Sequence, residues 1–268
     1  RMGRCTTPGL RPGPRTTFPL GVVQTDRGPQ QVSVIVTSTA TDPLTANDRA
    51  TLSIQALPSP PVGTDAVDSA VVVSRMRFRG AAVGVPHVVL ARSDDFADAL
   101  VGTVLTGNAP LLFTGRDALD ARTATEIDRV MPQGGTVLVL GGTGAIAEPV
   151  LQSLRARGHE AVRLSGGSRI ETALAVADRL VASGADPSTV VVARAFGDGA
   201  AAWADAIAVG AFAGQTSTPI LLTDPVAGSG EVARWAAGHG TTRTLVAGGV
   251  GAVPDAALGG LPGVERIA

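Results

Sequence analysis

The sequence predicts two tandem α/β modules, each built on a doubly wound parallel sheet, after a short N-terminal β-hairpin. Three observations predict this fold class: phrases recur about one hundred residues apart, the recurring strands are short apolar runs, and helical segments separate them. Short apolar runs are typical of strands buried on both faces of a parallel sheet. Helices between consecutive strands are typical of right-handed crossover units.

The first sixty residues differ from the rest of the chain. Residues 31–39 and 49–57 predict two strands, because β-branched residues dominate the first and apolar residues alternate in the second. The phrase TSTATDPLTANDRATLSIQ resembles the closing hairpin of immunoglobulin-like repeats in bacterial surface proteins. We therefore assign 1–57 to a fragment of a β-sandwich-like domain and the PSPP at 58–61 to a stiff linker. The alternative is an ordinary hairpin packed on the main domain, because an isolated hairpin needs a partner.

The remainder of the chain repeats itself at offsets between 102 and 109 residues. The phrases VVLAR, FADAL, APLLFT and TVLVLGGTGAI recur as VVVAR, WADAI, TPILLT and TLVAGGVGAV. The aligned pairs are Arg92 with Arg194, Asp98 with Asp205, Thr114 with Thr223, and Gly141 with Gly248. One module is therefore used twice, over 62–162 and 163–265, and 266–268 would begin a third. The strands predicted in the first module are Pro86–Arg92, Ala109–Phe113, Thr136–Leu140 and Glu160–Leu164.

Composition excludes several classes of function. The net charge is −1 and all 22 basic residues are arginine, without the basic stripe of a nucleic-acid-binding protein. The longest apolar runs are too short to cross a bilayer. A single cysteine and three histidines do not supply a cysteine-rich or histidine-rich metal site. We therefore expect no nucleic acid, no membrane span and no metal.

The stretch SDDFADAL places three carboxylates after the first strand. Asp94 and Asp95 stand where the N-cap and first turn of a helix favour acceptors and negative charge. Only Asp98 recurs, as Asp205, so neither a metal site nor a catalytic carboxylate pair would be repeated. We expect Asp98 and Asp205 to be half-buried structural or binding anchors, paired with Arg92 and Arg194, because buried acids are rarely left unpaired.

The phrase VLVLGGTGAIA is similar to the glycine turn of a dinucleotide-binding fold. The second copy places Pro254 where the third glycine or alanine belongs, and no acidic residue ends the following strand near Arg163. A tight strand-to-helix turn accounts for both copies, and we expect no cofactor. The alternative function is a nucleotide-binding or hydrolytic α/β enzyme that uses these turns. The sequence shows neither a nucleophile elbow nor a serine beside a histidine.

Four phrases together, VVLARSDDFADALVG, APLLFTGRDAL, TVLVLGGTGAI and VRLSGGSRIETALAVA, resemble the cell-wall-binding repeat type 2 family of Gram-positive surface proteins. The resemblance covers nearly all of 62–268. It implies a secreted, non-catalytic module at the cell surface that binds an anionic secondary wall polymer. It also implies a ring of three Rossmann-like modules, which a third repeat or an oligomer partner would complete here. The first copy departs from the family pattern, with Ala66 where Arg169 stands in the second.

Candidate polymer-binding residues lie past the carboxyl ends of the predicted strands, where doubly wound sheets present ligands. Arginine forks suit the phosphate and carboxylate groups of a polymer. The candidates are Arg92, Arg194, Arg169, Thr172, Thr114 and Thr223.

Overall fold

The computed structural model describes residues 29–35, 49–55, 63–80, 84–95, 97–132, 134–197 and 204–267. The chain divides into two compact units, Arg1–Pro61 and Val62–Ala268. The first unit contains strands β1 (Pro29–Ile35) and β2 (Arg49–Gln55), which pair antiparallel. An antiparallel pair is the arrangement predicted for these two stretches. The predicted turn, the ends of both predicted strands and the linker at 58–61 lie outside the described residues.

The second unit contains two four-stranded parallel sheets with the same strand order. The first sheet has β3 (His87–Arg92), β4 (Leu111–Thr114), β5 (Thr136–Leu140) and β6 (Glu160–Leu164), in the order β4-β3-β5-β6. The second has β7 (Thr189–Arg194), β8 (Ile220–Thr223), β9 (Arg243–Ala247) and β10 (Val264–Ile267), in the order β8-β7-β9-β10. The prediction of two tandem parallel-sheet modules is therefore confirmed.

Helices connect successive strands in both modules. The first module has α1 (Ala66–Arg77), α2 (Ala97–Gly102) with a 3₁₀ turn at Thr103–Leu105, α3 (Ala121–Val130) and α4 (Glu148–Ala156). The second has α5 (Arg169–Ala182), α6 (Ala204–Thr216) and α7 (Gly230–Gly238), and a 3₁₀ turn at Asp255–Leu258 takes the place of α4. Gly259 and Gly260 follow that turn, and a glycine pair does not favour continuation of a helix. None of the helices in the described ranges is long and apolar enough to cross a membrane.

The predicted module boundaries fall close to the last strand of each sheet. Strand β6 spans the predicted boundary between 162 and 163 and pairs with β5 along its whole length. Strand β10 contains Arg266 and Ile267 and pairs with β9 in the second sheet. The boundaries themselves stay predictions, but these two strands occupy equivalent places in the two sheets.

The first helix of each module begins with a reciprocal cap. The side chain of Asp65 accepts from the backbone N–H of Asp68 at 2.8 Å, and Ser168 accepts from that of Glu171 at 3.2 Å. The carboxylates of Asp68 and Glu171 in turn accept from the backbone N–H that precedes each cap residue. Such capping boxes satisfy N–H groups that have no partner within the helix, so both copies start with the same device although their residues differ.

Apolar side chains alternate between the two faces of the first sheet. Val88 and Leu90 belong to a core with α1, α3 and α4, whereas Val89 and Ala91 belong to a core on the opposite face. This second core continues without interruption into the second module, where it includes Val191. The two modules therefore share this second core, and each also has a core of its own on the other face of its sheet.

Helix α6 approaches the 3₁₀ turn of the first module closely through two glycines. A Cβ atom at Gly210 would lie 3.3 Å from the Thr103 hydroxyl, and one at Gly214 would lie 3.0 Å from the Thr103 carbonyl oxygen. Glycine permits this approach because it has no side chain to separate the backbones.

We expect Gly210→Leu and Gly214→Leu to weaken the contact between the modules, because a larger side chain in a packed interface costs about 1–3 kcal/mol. Scanning calorimetry should show a lower transition temperature, or two transitions in place of one. Ala211→Leu is the matched control, because Ala211 is exposed on the same helix. Equal transition temperatures for all three variants would contradict the role of the glycines.

Candidate functional site

The predicted arginine and threonine pairs lie at the carboxyl ends of neighbouring strands. Arg92 at the end of β3 is in register with Thr114 at the end of β4, and Arg194 is in register with Thr223 in the second sheet. The backbone N–H after each arginine donates to the carbonyl oxygen of that threonine, at 2.9 Å in the first module and 2.7 Å in the second. The backbone of this edge is thus repeated, as the sequence predicted.

Arg92 binds the carboxylate of Asp94, not that of Asp98 as predicted. Its Nε lies 2.6 Å from Oδ1 and its Nη2 lies 2.7 Å from Oδ2 of Asp94. Because Asp94 is only two residues away on the same loop, its carboxylate can accept hydrogen bonds from both Nε and Nη2 of Arg92. Its hydrogen bonds raise the pKa of Arg92, and the same bonds lower the pKa of Asp94.

Asp98 and Asp205 are half-buried and lie against the glycine turns. A Cβ atom on Gly141 would collide with Oδ2 of Asp98, and one on Gly248 would collide with Oδ2 of Asp205. Burial raises the pKa of Asp98 and the neighbouring Asp95 raises it further, against the opposing charges of arginines nearby. The expected pairs with Arg92 and Arg194 are not formed, and each carboxylate instead packs on the turn after the third strand.

The glycine turns are also held by a repeated arginine that was not among the predicted site residues. Arg163 on β6 donates to the carbonyl oxygen of Gly141 at 2.8 Å, and Arg266 on β10 donates to that of Gly248 at 2.9 Å. Each arginine also forms an ion pair, with Glu148 in the first module and Asp255 in the second. The sequence signal for this pair is the recurrence of VRL at 162–164 as ERI at 265–267.

Two of the predicted threonines use their hydroxyls within the fold. Thr114 donates to the carbonyl oxygen of Ala118 at 3.1 Å and accepts from the N–H of Asp120 at 2.9 Å. Thr172 is buried and accepts from the N–H of Gly166 at 3.2 Å. These contacts shape the loop after β4 and the start of α5.

Arg169 lies beside the carboxyl edge of the second sheet. Its Nη1 donates to the carbonyl oxygen of Ala195 at 3.0 Å, and its guanidinium lies 5.1 Å from the centre of the Phe196 ring. The helix α5 begins at this residue, so the structure brings Arg169 to the loop that follows Arg194.

Arg194 and Thr223 differ from their counterparts in hydrogen bonding. The Nε of Arg194 and the hydroxyl of Thr223 are buried and have no hydrogen-bond partner within the described part of the chain. The corresponding atoms of Arg92 and Thr114 are both bonded. The two edges therefore have the same backbone arrangement but differ in the hydrogen bonding of these side chains.

Internal ion pairs also occupy the edge of the first module. Arg122 lies 2.9 Å from a carboxylate oxygen of Asp65 and 2.8 Å from one of Asp120. The backbone N–H of Asp68, and then Arg122, lower the pKa of Asp65, whereas the hydrogen bonds from Arg122 are the main cause that lowers the pKa of Asp120. Across the described ranges, no group of three or more histidine, cysteine, aspartate or glutamate residues is arranged to hold a metal ion.

A single family of known proteins matches both modules of the chain. The model of the family described as "Cell wall binding domain 2 (CWB2)" matches residues 62–151 and 163–258. The chain is also similar to the N-acetylmuramoyl-L-alanine amidase LytC of Bacillus subtilis (strain 168), with 28% identity over 207 residues. That match covers 76% of this chain and 39% of LytC.

Two solved structures share the fold. Cwp8 from Clostridium difficile superposes with a TM-score of 0.67 and 22% identity, over 91% of this chain and 44% of that protein. Cwp6 from the same organism superposes with a TM-score of 0.64 and 20% identity, over 84% of this chain and 33% of that protein. The chain thus spans less than half the length of each of these three relatives.

Proposed function

The chain belongs to the cell wall binding domain 2 family and is a cell wall binding module, and from this premise we propose that it binds an anionic secondary polymer of the wall non-covalently. The observation that carries the proposal is the arginine that ends the first strand of each module, Arg92 and Arg194. Parallel α/β sheets present ligands beyond this edge. Arg169, Thr172, Thr114 and Thr223 are the further candidate contacts, and secretion to the cell surface accompanies this function.

The attraction between polymer and protein is local in this proposal. The net charge of −1 gives no overall attraction to a polyanion, and exposed charges are screened over about 8 Å at physiological ionic strength. Where the polymer contacts the rigid chain at more than one point, such as Arg169 and Arg194, the first contact raises the effective concentration for the second and strengthens binding. A polymer with repeated anionic groups is therefore the class of ligand whose binding is strengthened in this way.

A non-catalytic role is part of the proposal, although LytC is named as an amidase. The glycine turns that favoured a nucleotide-binding enzyme hold the carboxylates of Asp98 and Asp205 against Gly141 and Gly248. A phosphate that approached either turn would meet a carboxylate already there, and like charges repel at short distance. This contact argues against the alternative function.

We also propose that each module is Rossmann-like, that the N-terminal hairpin derives from an immunoglobulin-like domain, and that a third module of the same kind completes a ring.

The contacts of the first helix in each module support the third module. Helix α5 of the second module is covered by α2 of the first. Its counterpart α1 borders an apolar groove of about 370 Å³ and exposes 61% of Val73 and 43% of Met76. By the symmetry of the repeat, we expect the helix equivalent to α2 in a third module to cover α1 at this groove.

Co-sedimentation with purified Gram-positive walls, before and after acid extraction of the secondary polymers, tests the proposed function. We expect Arg169→Ala, and Arg92→Ala combined with Arg194→Ala, to bind walls about tenfold more weakly, since a hydrogen bond to a charged group contributes about 1.5–3 kcal/mol. The matched control is Arg243→Ala, which removes the same charge from the opposite edge of the second sheet. Folded variants that sediment like the parent at every salt concentration would exclude these arginines as the contact.

A further inference from the structure

We infer that the two modules are not equivalent in binding: an anionic group binds beside Arg194 in the second module, whereas in the first the carboxylate of Asp94 occupies the same place on Arg92 as an internal ligand. The inference rests on the proposed function and assigns the binding site to one module of the pair. The ligand class is a phosphate or carboxylate group.

The first step is the geometry of the Arg92–Asp94 pair. Two hydrogen bonds of 2.6 and 2.7 Å join the Nε and Nη2 atoms of Arg92 to the two oxygens of the Asp94 carboxylate. This bidentate arrangement is the one that arginine forms with ligand carboxylates and phosphates. An anion from outside must displace Asp94, which the chain holds beside Arg92 at a high effective concentration.

The second step is the exchange of Asp94 for Phe196 in the second module. Arg194 forms no ion pair with any residue that the structure describes, and its buried Nε has no hydrogen-bond partner. A buried donor without an acceptor is unfavourable, and a polar ligand or water at the guanidinium is the usual remedy. Among the described residues, the hydroxyl of the neighbouring Thr223 also has no hydrogen-bond partner, whereas that of Thr114 in the first module has two.

The third step is the local charge around each arginine. Five equivalent positions carry three carboxylates and one guanidinium in the first module, but one carboxylate and two guanidiniums in the second. The positions are Ala66 and Arg169, Arg92 and Arg194, Asp94 and Phe196, Asp95 and Gly197, and Asp98 and Asp205. Over these five positions the second module carries less negative charge than the first, so it repels an anion less at short distance.

Exchanging the two residues tests the inference on the whole chain. Phe196→Asp should place a carboxylate beside Arg194 and weaken wall binding at least tenfold relative to Phe196→Asn, which removes the same ring from Arg169 without adding charge. Co-sedimentation with purified walls at low and physiological salt gives the two affinities. Equal affinities for two folded variants, verified by melting temperature, would overturn the inference.

The reverse change in the first module gives an independent test. Asp94→Asn should release Arg92 and add a second anion site per chain, whereas Asp95→Asn removes the same charge without touching the Arg92–Asp94 pair. Calorimetric titration with oligomers of glycerol phosphate and of galacturonic acid counts the sites and distinguishes phosphate from carboxylate; if neither oligomer binds, the gain is measured on walls. A parent that already binds two equivalents, or an Asp94→Asn variant that gains no more than Asp95→Asn, would contradict the inference.

The outcomes separate the inference from the proposed function. A parent chain that fails to sediment with walls, and binds neither oligomer, would refute the proposed function. A parent that sediments while Phe196→Asp matches Phe196→Asn would refute the inequality of the modules and leave wall binding in place.

Discussion

Replacing Glu126 by alanine should lower the free energy of unfolding by about 3 kcal/mol, because removing one partner of a buried ionic network leaves the others without compensation. Glu126 is fully buried and accepts from the Ser74 hydroxyl at 2.6 Å, from Arg75 Nε at 3.1 Å and from Arg129 Nη2 at 2.6 Å. The network joins α3 to α1, so its loss loosens the first helix of the module.

Urea unfolding at pH 7 measures this effect. Glu160→Ala is the control, because Glu160 is exposed and most surface substitutions change stability by less than about 0.5 kcal/mol. A Glu126→Ala variant as stable as the control would show that the network contributes nothing to stability.

The same network makes stability depend on pH. Burial by itself would raise the pKa of Glu126, but hydrogen bonds from Arg129, Ser74 and Arg75 outweigh it and hold the pKa below its usual value. A carboxyl group whose pKa is lower in the folded state stabilises the fold above the unfolded pKa of about 4.3, and this contribution is lost as the pH falls through the folded value. The stability difference between the parent and Glu126→Ala should therefore shrink below about pH 4.

Replacing Gly141 by alanine should also cost about 3 kcal/mol, from backbone strain together with a collision in a packed site. Gly141 has φ +90°, and a Cβ there would meet both Oδ2 of Asp98 and the Cβ of Ala145. Its counterpart Gly248 has φ +92° and faces Asp205 in the same way, so the effect should recur in the second module.

Gly142→Ala is the matched control for this prediction, because a Cβ at Gly142 would meet no atom within 4 Å. Thermal or urea unfolding of both variants gives the difference. Adding Asp98→Ala to Gly141→Ala should restore the stability lost through the collision, because the colliding carboxylate is then absent. The stability lost through backbone strain should remain, so the effects of the two substitutions will not add. Equal stabilities of Gly141→Ala and Gly142→Ala would refute the steric account of the glycine turn.

The sequence by itself determined the repeat, the strands and the edge at which the candidate residues meet. Strands predicted at Thr136–Leu140 and Glu160–Leu164 have the same bounds in the structure, and the strand predicted from Pro86 begins at His87. Short buried strands with helices between them are local patterns, and duplicated phrases reproduce them twice. Arg92 and Arg194 could therefore be placed at the ends of equivalent strands without knowledge of the fold.

Only the tertiary structure decided which partner each charged group takes. Three acids follow Arg92 within six residues, and the conformation of the loop decides that Asp94 is the one that binds it. The contact between the first and third helices of a module shows the same point: Arg75 binds Glu126 in the first, whereas Asp178 accepts from Trp235 Nε1 in the second. A repeated pattern specifies the backbone because hydrophobic periodicity tolerates substitution, but a hydrogen bond depends on the distance and angle between two particular groups. These distances and angles are fixed only when all the helices have packed.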